Sequence, residues 1–293
     1  MSPGLYPLPD GPWGPIIGVY FILAGMAAGT TLVAEWVAPQ DARTAVALAW
    51  KTSWVALAAL LLCGVLLIVD LGRPARFFLM LTRFANPGSA MSVGAKLIAL
   101  KGLLLALYLS RLYRRRHALA AGDVTLAPGV TRAVYTVVPA LLAVPSLCLA
   151  AYPAMLLART WFSPLTASSG AALLFVTTAL LMGTAVAACM ARDETLVARL
   201  QGVMLFLGTA HLCLLLLAGL ALYGGSPALE RALGVLIGGR AAAVFWGLTM
   251  GVGLGILLVA LTVMRQQRLV VLASAFCLFV GAATLRFLMF TVA

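Results

Sequence analysis

Residues 45–69 read AVALAWKTSWVALAALLLCGVLLIV, and residues 70–92 read DLGRPARFFLMLTRFANPGSAMS. The first run is almost wholly apolar and long enough, at ~1.5 Å per residue, to cross a hydrocarbon core of about 30 Å as a helix. The second run is of another kind. It holds Arg73, Arg76 and Arg83 against one acid, Asp70, and is punctuated by Pro74 and Pro87 beside Gly72 and Gly88. Pro74 disfavours a helical residue before it, so the apolar helix ends near Arg73. Asn86-Pro87-Gly88-Ser89 reads as a turn, and Ser89 or Ser92 caps the next helix. A connection this polar does more than join two spans. It is expected to hold a ligand or a partner at the membrane boundary.

The rest of the chain repeats the first pattern. Of its 293 residues, 63% are hydrophobic and only 10% charged, with a mean hydropathy of +1.09. A soluble domain is about half apolar and a quarter charged, so the chain reads as an integral membrane protein. The runs are too long for the short alternating strands of a barrel. The fold class is therefore all-α, lying in the lipid bilayer. Eight spans are expected, at 14–37, 45–69, 92–112, 132–157, 170–191, 199–223, 240–264 and 268–292. They group as two four-helix bundles, dividing the chain into 1–166 and 167–293. Gly25 with Gly29, and Gly251 with Gly255, are spaced for close helix packing.

The net charge is +12. These charges flank spans and set topology, so nucleic acid is not the expected partner. Arg111, Arg114, Arg115 and Arg116 mark the cytoplasmic face, and 111–128 reads as a flexible loop there. The first ten residues hold no Lys or Arg. The first helix is therefore expected to stay in the mature protein, with both termini outside, together with the stretch 70–92. Arg76, Arg83 and the other outer arginines suit a docking partner.

Ionisable groups inside spans default to functional roles. Asp70 and Arg73, three apart, can face each other, as a local ion pair or as part of a site; the two are compatible. Lys96 snorkels outward, whereas Lys101 lies deep enough to need a buried partner or a water-filled cavity. Glu35 is either an interfacial residue or the mouth of a proton path. His211 is central in the sixth span and is read as a hydrogen-bonded packing residue. His117 is read as lying in a loop, so the axial pair that a b-type haem uses is lacking. Cys63, Cys148, Cys189, Cys213 and Cys277 stand singly, and no iron–sulfur cluster or metal site is expected in this chain. Tyr20 and Tyr152 fall toward the outer half, where an interfacial anchor is the plain reading of Tyr152 alone.

Taken together, YFILAGMAAGTTLVA (20–34), DLGRPARF (70–77), FANPGSAMSVGA (84–95), AYPAMLLA (151–158) and the later SPL (163–165) resemble the NrfD/PsrC-type membrane subunit of polysulfide reductase and its relatives. The resemblance covers residues up to about 166 well and the rest generally. It implies an eight-helix subunit of the bacterial inner membrane with periplasmic termini and no haem or cluster of its own. It further implies menaquinone or ubiquinone bound in the first bundle near the periplasmic face. Electrons then pass between quinone and a periplasmic four-cluster iron–sulfur subunit, and through it a molybdopterin catalytic subunit. On this resemblance Tyr152 is the quinone-contacting tyrosine, and Tyr20 stands where relatives place a polar ring residue. The family's asparagine one turn before Tyr20 is absent. The cofactor-binding residues are then Tyr20, Asp70, Arg73 and Tyr152, with Asp70 and Tyr152 as the catalytic pair. The expected activity is that of a membrane anchor oxidising quinol for a respiratory oxidoreductase. Quinone reduction is the alternative, and a transporter or an inert anchor are the rivals outside redox chemistry.

Overall fold

The computed structural model describes residues 15–37, 43–70, 90–121, 130–160, 170–256 and 268–291, with residues 258 and 262. In chain order the helices are α1 (Pro15–Val37), α2 (Arg43–Asp70), α3 (Ala90–Ala121), α4 (Val130–Thr160), α5 (Ala171–Met190), α6 (Glu194–Tyr223), α7 (Pro227–Ile237) and α8 (Ala242–Val244). A π-helix (Phe245–Ile256) continues α8, and α9 (Arg268–Thr291) follows. Among the described residues no strand occurs. Seven helices are long and apolar enough to cross a membrane, or eight if the bent pair α7 and α8–π is one span. Arg73, Arg76 and Arg83 lie outside the described residues.

α1 is the hub. It packs against α2, α4, α5 and α9, and its sequence is apolar all round, as a helix buried on several sides requires. Its small residues let neighbours come close. At Gly29 a Cβ would run into the backbone of Ala179, and at Gly183 into that of Gly29, so α1 and α5 touch backbone to backbone. Such contact is a common way for membrane helices to gain packing energy. Gly25, expected in the same role, instead makes room for the Arg286 side chain. In the C-terminal half, a Cβ on Gly253 would lie 2.6 Å from Gly281 Cα, whereas Gly251 and Gly255 meet only carbonyls of their own helix.

Helix directions follow from side-chain partners. Lys101 reaches Ala27 and Tyr108 reaches Ala34, so α1 and α3 run parallel. Gly94 faces Tyr152 and Lys101 faces Ser146, so α4 runs against α3. The N-terminal end of α1, the C-terminal end of α2, the N-terminal end of α3 and the C-terminal end of α4 therefore share one end of the molecule. α1, α2, α3 and α4 close a ring, each touching the next and α4 returning to α1.

Three expectations change. α3 continues as helix to Ala121, so residues 111–121 are not a loop; 122–129 lie outside the described residues. The segment RLYRRRHALAA is rich in Leu, Arg and Ala, good helix formers, and meets no Gly or Pro before Gly122. The straight seventh span expected over 240–264 is instead bent by 63° against α7. The bend falls at Gly238-Gly239-Arg240, where Trp246 Nε1 donates to the Ile237 carbonyl oxygen at 2.9 Å. The glycines at 247, 251, 253 and 255 weaken α-helical preference and tolerate the wider π turn. α6 starts at Glu194 rather than Arg199, because Asp193 caps it by accepting from the Thr195 and Leu196 N–H groups at 3.1 Å each. The bond from the Thr195 hydroxyl, together with those N–H groups, holds the Asp193 carboxyl below the usual carboxylate range.

Candidate functional site

Tyr20 sits on the second turn of α1 and is 1% exposed. Its hydroxyl is buried and has no hydrogen-bond partner among the described residues. Tyr152 of α4 is 5% exposed and belongs to the same apolar cluster. The two phenols are close enough to interact electrostatically. Phe21, Cys63, Leu149, Phe175 and Phe290 fill the surroundings, and Cys63 turns its thiol to the Tyr20 carbonyl oxygen at 3.8 Å.

The position of Tyr152 is set from both sides. Pro153 follows it inside α4 and offers no N–H to the Leu149 carbonyl, which loosens the helix there. Across the interface stands Gly94 of the AMSVGA segment. A Cβ at Gly94 would lie 2.5 Å from the Tyr152 hydroxyl and 2.6 Å from its Cζ. The motif glycine is thus the seat of the motif tyrosine, a pairing that the sequence did not reveal because the two lie on different spans.

Asp70 ends α2 at the same end of the ring and is partly exposed. No contact joins it to either tyrosine among those described. Its sequence partner Arg73 lies outside the described residues.

Arg286 was missed from sequence, although an arginine inside the apolar run of the last span is a clear signal. It is fully buried. Its Nε donates to Thr178 Oγ1 at 2.9 Å, Nη1 to the Phe21 carbonyl at 2.9 Å, and Nη2 to the Phe175 carbonyl. The guanidinium lies 5.0 Å from the centre of the Phe175 ring. Arg286 therefore ties α9, α1 and α5 together one residue from Tyr20. His211 is buried, and its Nδ1 is 2.7 Å from Thr177 Oγ1, the hydrogen-bonded packing place expected for it. Lys101 has the buried partners expected of it, Ala27 and Ser146.

An apolar groove of about 430 Å³ lies elsewhere, between α5, α6, α7, the π-helix and α9, with Leu215, Leu233, Phe245 and Met289 on its walls. Neither tyrosine lines it. Among the described residues no group of three His, Cys, Asp or Glu could hold a metal ion.

A molecule with a polar oxygen and an apolar body would suit the tyrosine end of the ring. It would find the Tyr20 hydroxyl, a second phenol and a largely apolar surround. The comparisons with known proteins bear on what that molecule is. No curated protein matches the chain. A family model described as polysulphide reductase, NrfD, matches residues 7–293. Members of that family are membrane subunits of quinone-interacting oxidoreductase complexes. With essentially its whole length matched, the chain belongs to the NrfD family.

Proposed function

We propose that the tyrosine end of the α1–α4 ring is a quinone pocket, with Tyr20, Asp70, Arg73 and Tyr152 as its polar contacts. The observation that carries this reading is the buried hydroxyl of Tyr20, which has no hydrogen-bond partner among the described residues. A hydroxyl left unsatisfied in the interior costs ~1–3 kcal/mol, so a ligand oxygen at that point recovers it. The apolar cluster around it suits a prenylated ring such as menaquinone or ubiquinone. The bound group supplies two-electron, two-proton redox chemistry, QH2 ⇌ Q + 2 e⁻ + 2 H⁺, with electrons exchanged with an iron–sulfur partner. The chain's own residues orient and exchange protons. Tyr20 and Tyr152 hydrogen-bond the ring oxygens, Asp70 accepts a proton, and Arg73 favours the ionised form of Asp70.

On this reading residues 1–166 form the quinone bundle and 167–293 a second bundle. Both termini face the periplasm of a bacterial cell membrane. The exposed end meets an iron–sulfur subunit that leads to a molybdopterin subunit, and quinol is oxidised. The closed ring of α1 to α4 supports the first bundle. A transporter would call for broken helices in both halves; among the described residues one bent pair occurs, in the C-terminal half.

The test is Tyr152→Phe in the assembled complex. The substitution removes one polar contact worth about 1 kcal/mol, or up to ~3 kcal/mol where its partner is left buried. Quinol turnover at limiting quinol should fall roughly five- to a hundred-fold, at ~1.4 kcal/mol per decade. Turnover by dyes that feed the iron–sulfur subunit directly should stay near wild type. Unchanged quinol kinetics would make Tyr152 an interfacial anchor.

A further inference from the structure

At the end of the molecule opposite the tyrosines, the turn from α5 into α6 and the start of α9 line a cavity of about 470 Å³. A buried cluster places it at that end. Val37, the last residue of α1, belongs to it together with Ala191 and Leu196 beside the turn and Val271 of α9. Arg192 lies just past α5, Arg268 opens α9, and both line the cavity. Glu194, the first residue of α6, lines it as well. Gln201, which is 5% exposed, lies deeper along the same helix wall. Seven residues separate Glu194 from Gln201, about 10 Å of helix. From Gly202 to Leu222 the helix is almost wholly apolar. The cavity therefore spans the boundary between hydrocarbon and water, a layer of about 5–8 Å on each side of a bilayer.

The charges on this lining are not matched within the chain. Arg192 and Arg268 come from different elements, and two like charges brought to one cavity repel. Among the described residues neither side chain has a hydrogen-bond or ion-pair partner, and neither has the Glu194 carboxylate. The neighbouring carboxylate is already engaged. Asp193 accepts from the Thr195 and Leu196 N–H groups and from the Thr195 hydroxyl, and it interacts electrostatically with Arg199. The cavity thus presents two guanidinium groups and one carboxylate, beside the apolar side chains of Val197 and Ala198. A pair of guanidinium groups suits a phosphate. The free carboxylate suits an ammonium, and the apolar wall suits a hydrocarbon chain. One class of molecule carries all three, a phospholipid with a primary amine in its headgroup. Inorganic phosphate lacks the amine and the chain, and a glycerol headgroup lacks the amine.

We propose that this cavity binds an aminophospholipid of the leaflet at the Val37 end of α1. The lipid phosphate bridges Arg192 and Arg268, and the headgroup ammonium meets the Glu194 carboxylate. The glycerol esters reach the level of Gln201, and the chains run down past Val197 and Ala198 into the hydrocarbon. Bound in this way, the lipid ties the α5–α6 turn to the start of α9. Basic pockets between spans on the cytoplasmic side are a recurrent place for phospholipid headgroups. Arginines that served topology alone would need neither a shared cavity nor a carboxylate on its wall. The site shares no residue with the tyrosine end, so it stands apart from the quinone reading.

The experiment takes the full complex, stripped of lipid in mild detergent, and titrates it with phosphatidylethanolamine or phosphatidylglycerol, each with and without inorganic phosphate. Native mass spectrometry counts the bound lipid. Phosphatidylethanolamine should bind roughly fivefold more tightly than phosphatidylglycerol, and inorganic phosphate should displace neither. Arg192→Gln and Arg268→Gln should each weaken phosphatidylethanolamine roughly fivefold, the usual share of one arginine beside a lipid headgroup. Glu194→Gln should keep phosphatidylglycerol binding and abolish the preference for the amine. Ala198→Trp, which fills the cavity, should lose both lipids. The two arginines are exposed, so their variants should assemble, and Glu194→Gln keeps the shape and decides the question even if they do not. Lipid binding unchanged in the arginine and Ala198 variants overturns the site. Phosphatidylglycerol bound as tightly as phosphatidylethanolamine in the wild type, or a preference that survives Glu194→Gln, overturns the aminophospholipid. Displacement of the lipid by inorganic phosphate overturns it too, in favour of a soluble anion. None of these results bears on quinol turnover, which tests the tyrosine pocket separately.

Discussion

Gly94 and Tyr20 are the single residues on which the proposed site turns. Gly94 has no Cβ because the Tyr152 ring occupies that space. Gly94→Ala must push the ring aside or separate α3 from α4, and overpacking of this kind costs about 1–3 kcal/mol. We expect the complex to assemble with a lowered melting temperature. Quinol turnover should fall at least as far as in Tyr152→Phe, because the whole phenol moves. Retained turnover beside an intact melting temperature would mean that the ring relaxes freely and has no fixed task. Tyr20→Phe makes a sharper statement. Its hydroxyl is buried with no hydrogen-bond partner among the described residues, so removing it relieves a cost of ~1–3 kcal/mol in the ligand-free chain. The ligand-free protein should melt at the same temperature or higher, while the quinone analogue binds more weakly. A residue that serves stability alone would move both measurements in the same direction, and that result would remove Tyr20 from the pocket.

At the scale of elements, α1 carries the fold, and it crosses α5 backbone to backbone at Gly29 and Gly183. Gly183→Leu would drive a side chain into the Gly29 backbone, and we expect the variant to destabilise by at least the ~1–3 kcal/mol of ordinary overpacking. Gly64→Leu on α2 is the matched control, since nothing lies within 4 Å of its Cβ position. Thermal denaturation in detergent reads both; equal melting temperatures would show that the α1–α5 contact is dispensable. Much of this layer was legible in sequence. Long apolar runs give spans, because water and lipid leave few alternatives for an unsatisfied backbone, although α3 ended later and α6 began earlier than expected. The small residues at 25 and 29 announced close packing, but periodicity does not say which helix arrives. Gly29 met α5, and Gly25 met a guanidinium. Two elements were misread for physical reasons. Residues 111–121 look like a loop because they are charged, yet charge does not break a helix and Gly or Pro does. The π-helix and the bend before it depend on how glycine-rich turns settle against α9, a tertiary effect with no local pattern. For the candidate site, the resemblance singled out Tyr20 and Tyr152, Arg286 was legible as an arginine within an apolar run and was passed over, and the place of Gly94 emerged only when distant spans were brought together.

The whole molecule has a polarity, and the proposals depend on it. One end gathers the tyrosines and Asp70. The other gathers Glu35 and, on the extended α3, Arg111, Arg114, Arg115 and Arg116. Four arginines on six residues of α3 are a strong topological signal, and by the positive-inside rule we expect them on the cytoplasmic side. Because α1 and α3 run parallel, fixing the end of α3 also fixes Val37 and Glu35 on that side. It then sets the tyrosines, Asp70 and any docked iron–sulfur partner on the other. Ala120 is exposed on the last turn of α3, so Ala120→Cys, in a chain whose five native cysteines are replaced by Ser or Ala, reports the side directly. The thiol should resist an impermeant maleimide in intact cells and react once the membrane is opened. A cysteine at Tyr223, exposed at the C-terminal end of α6, should behave oppositely, since α6 runs antiparallel to α5 and ends beside α7 at the tyrosine side. Reaction at position 120 in intact cells would turn the molecule over. The tyrosine pocket and any docked partner would then face the cytoplasm, the reverse of the orientation proposed.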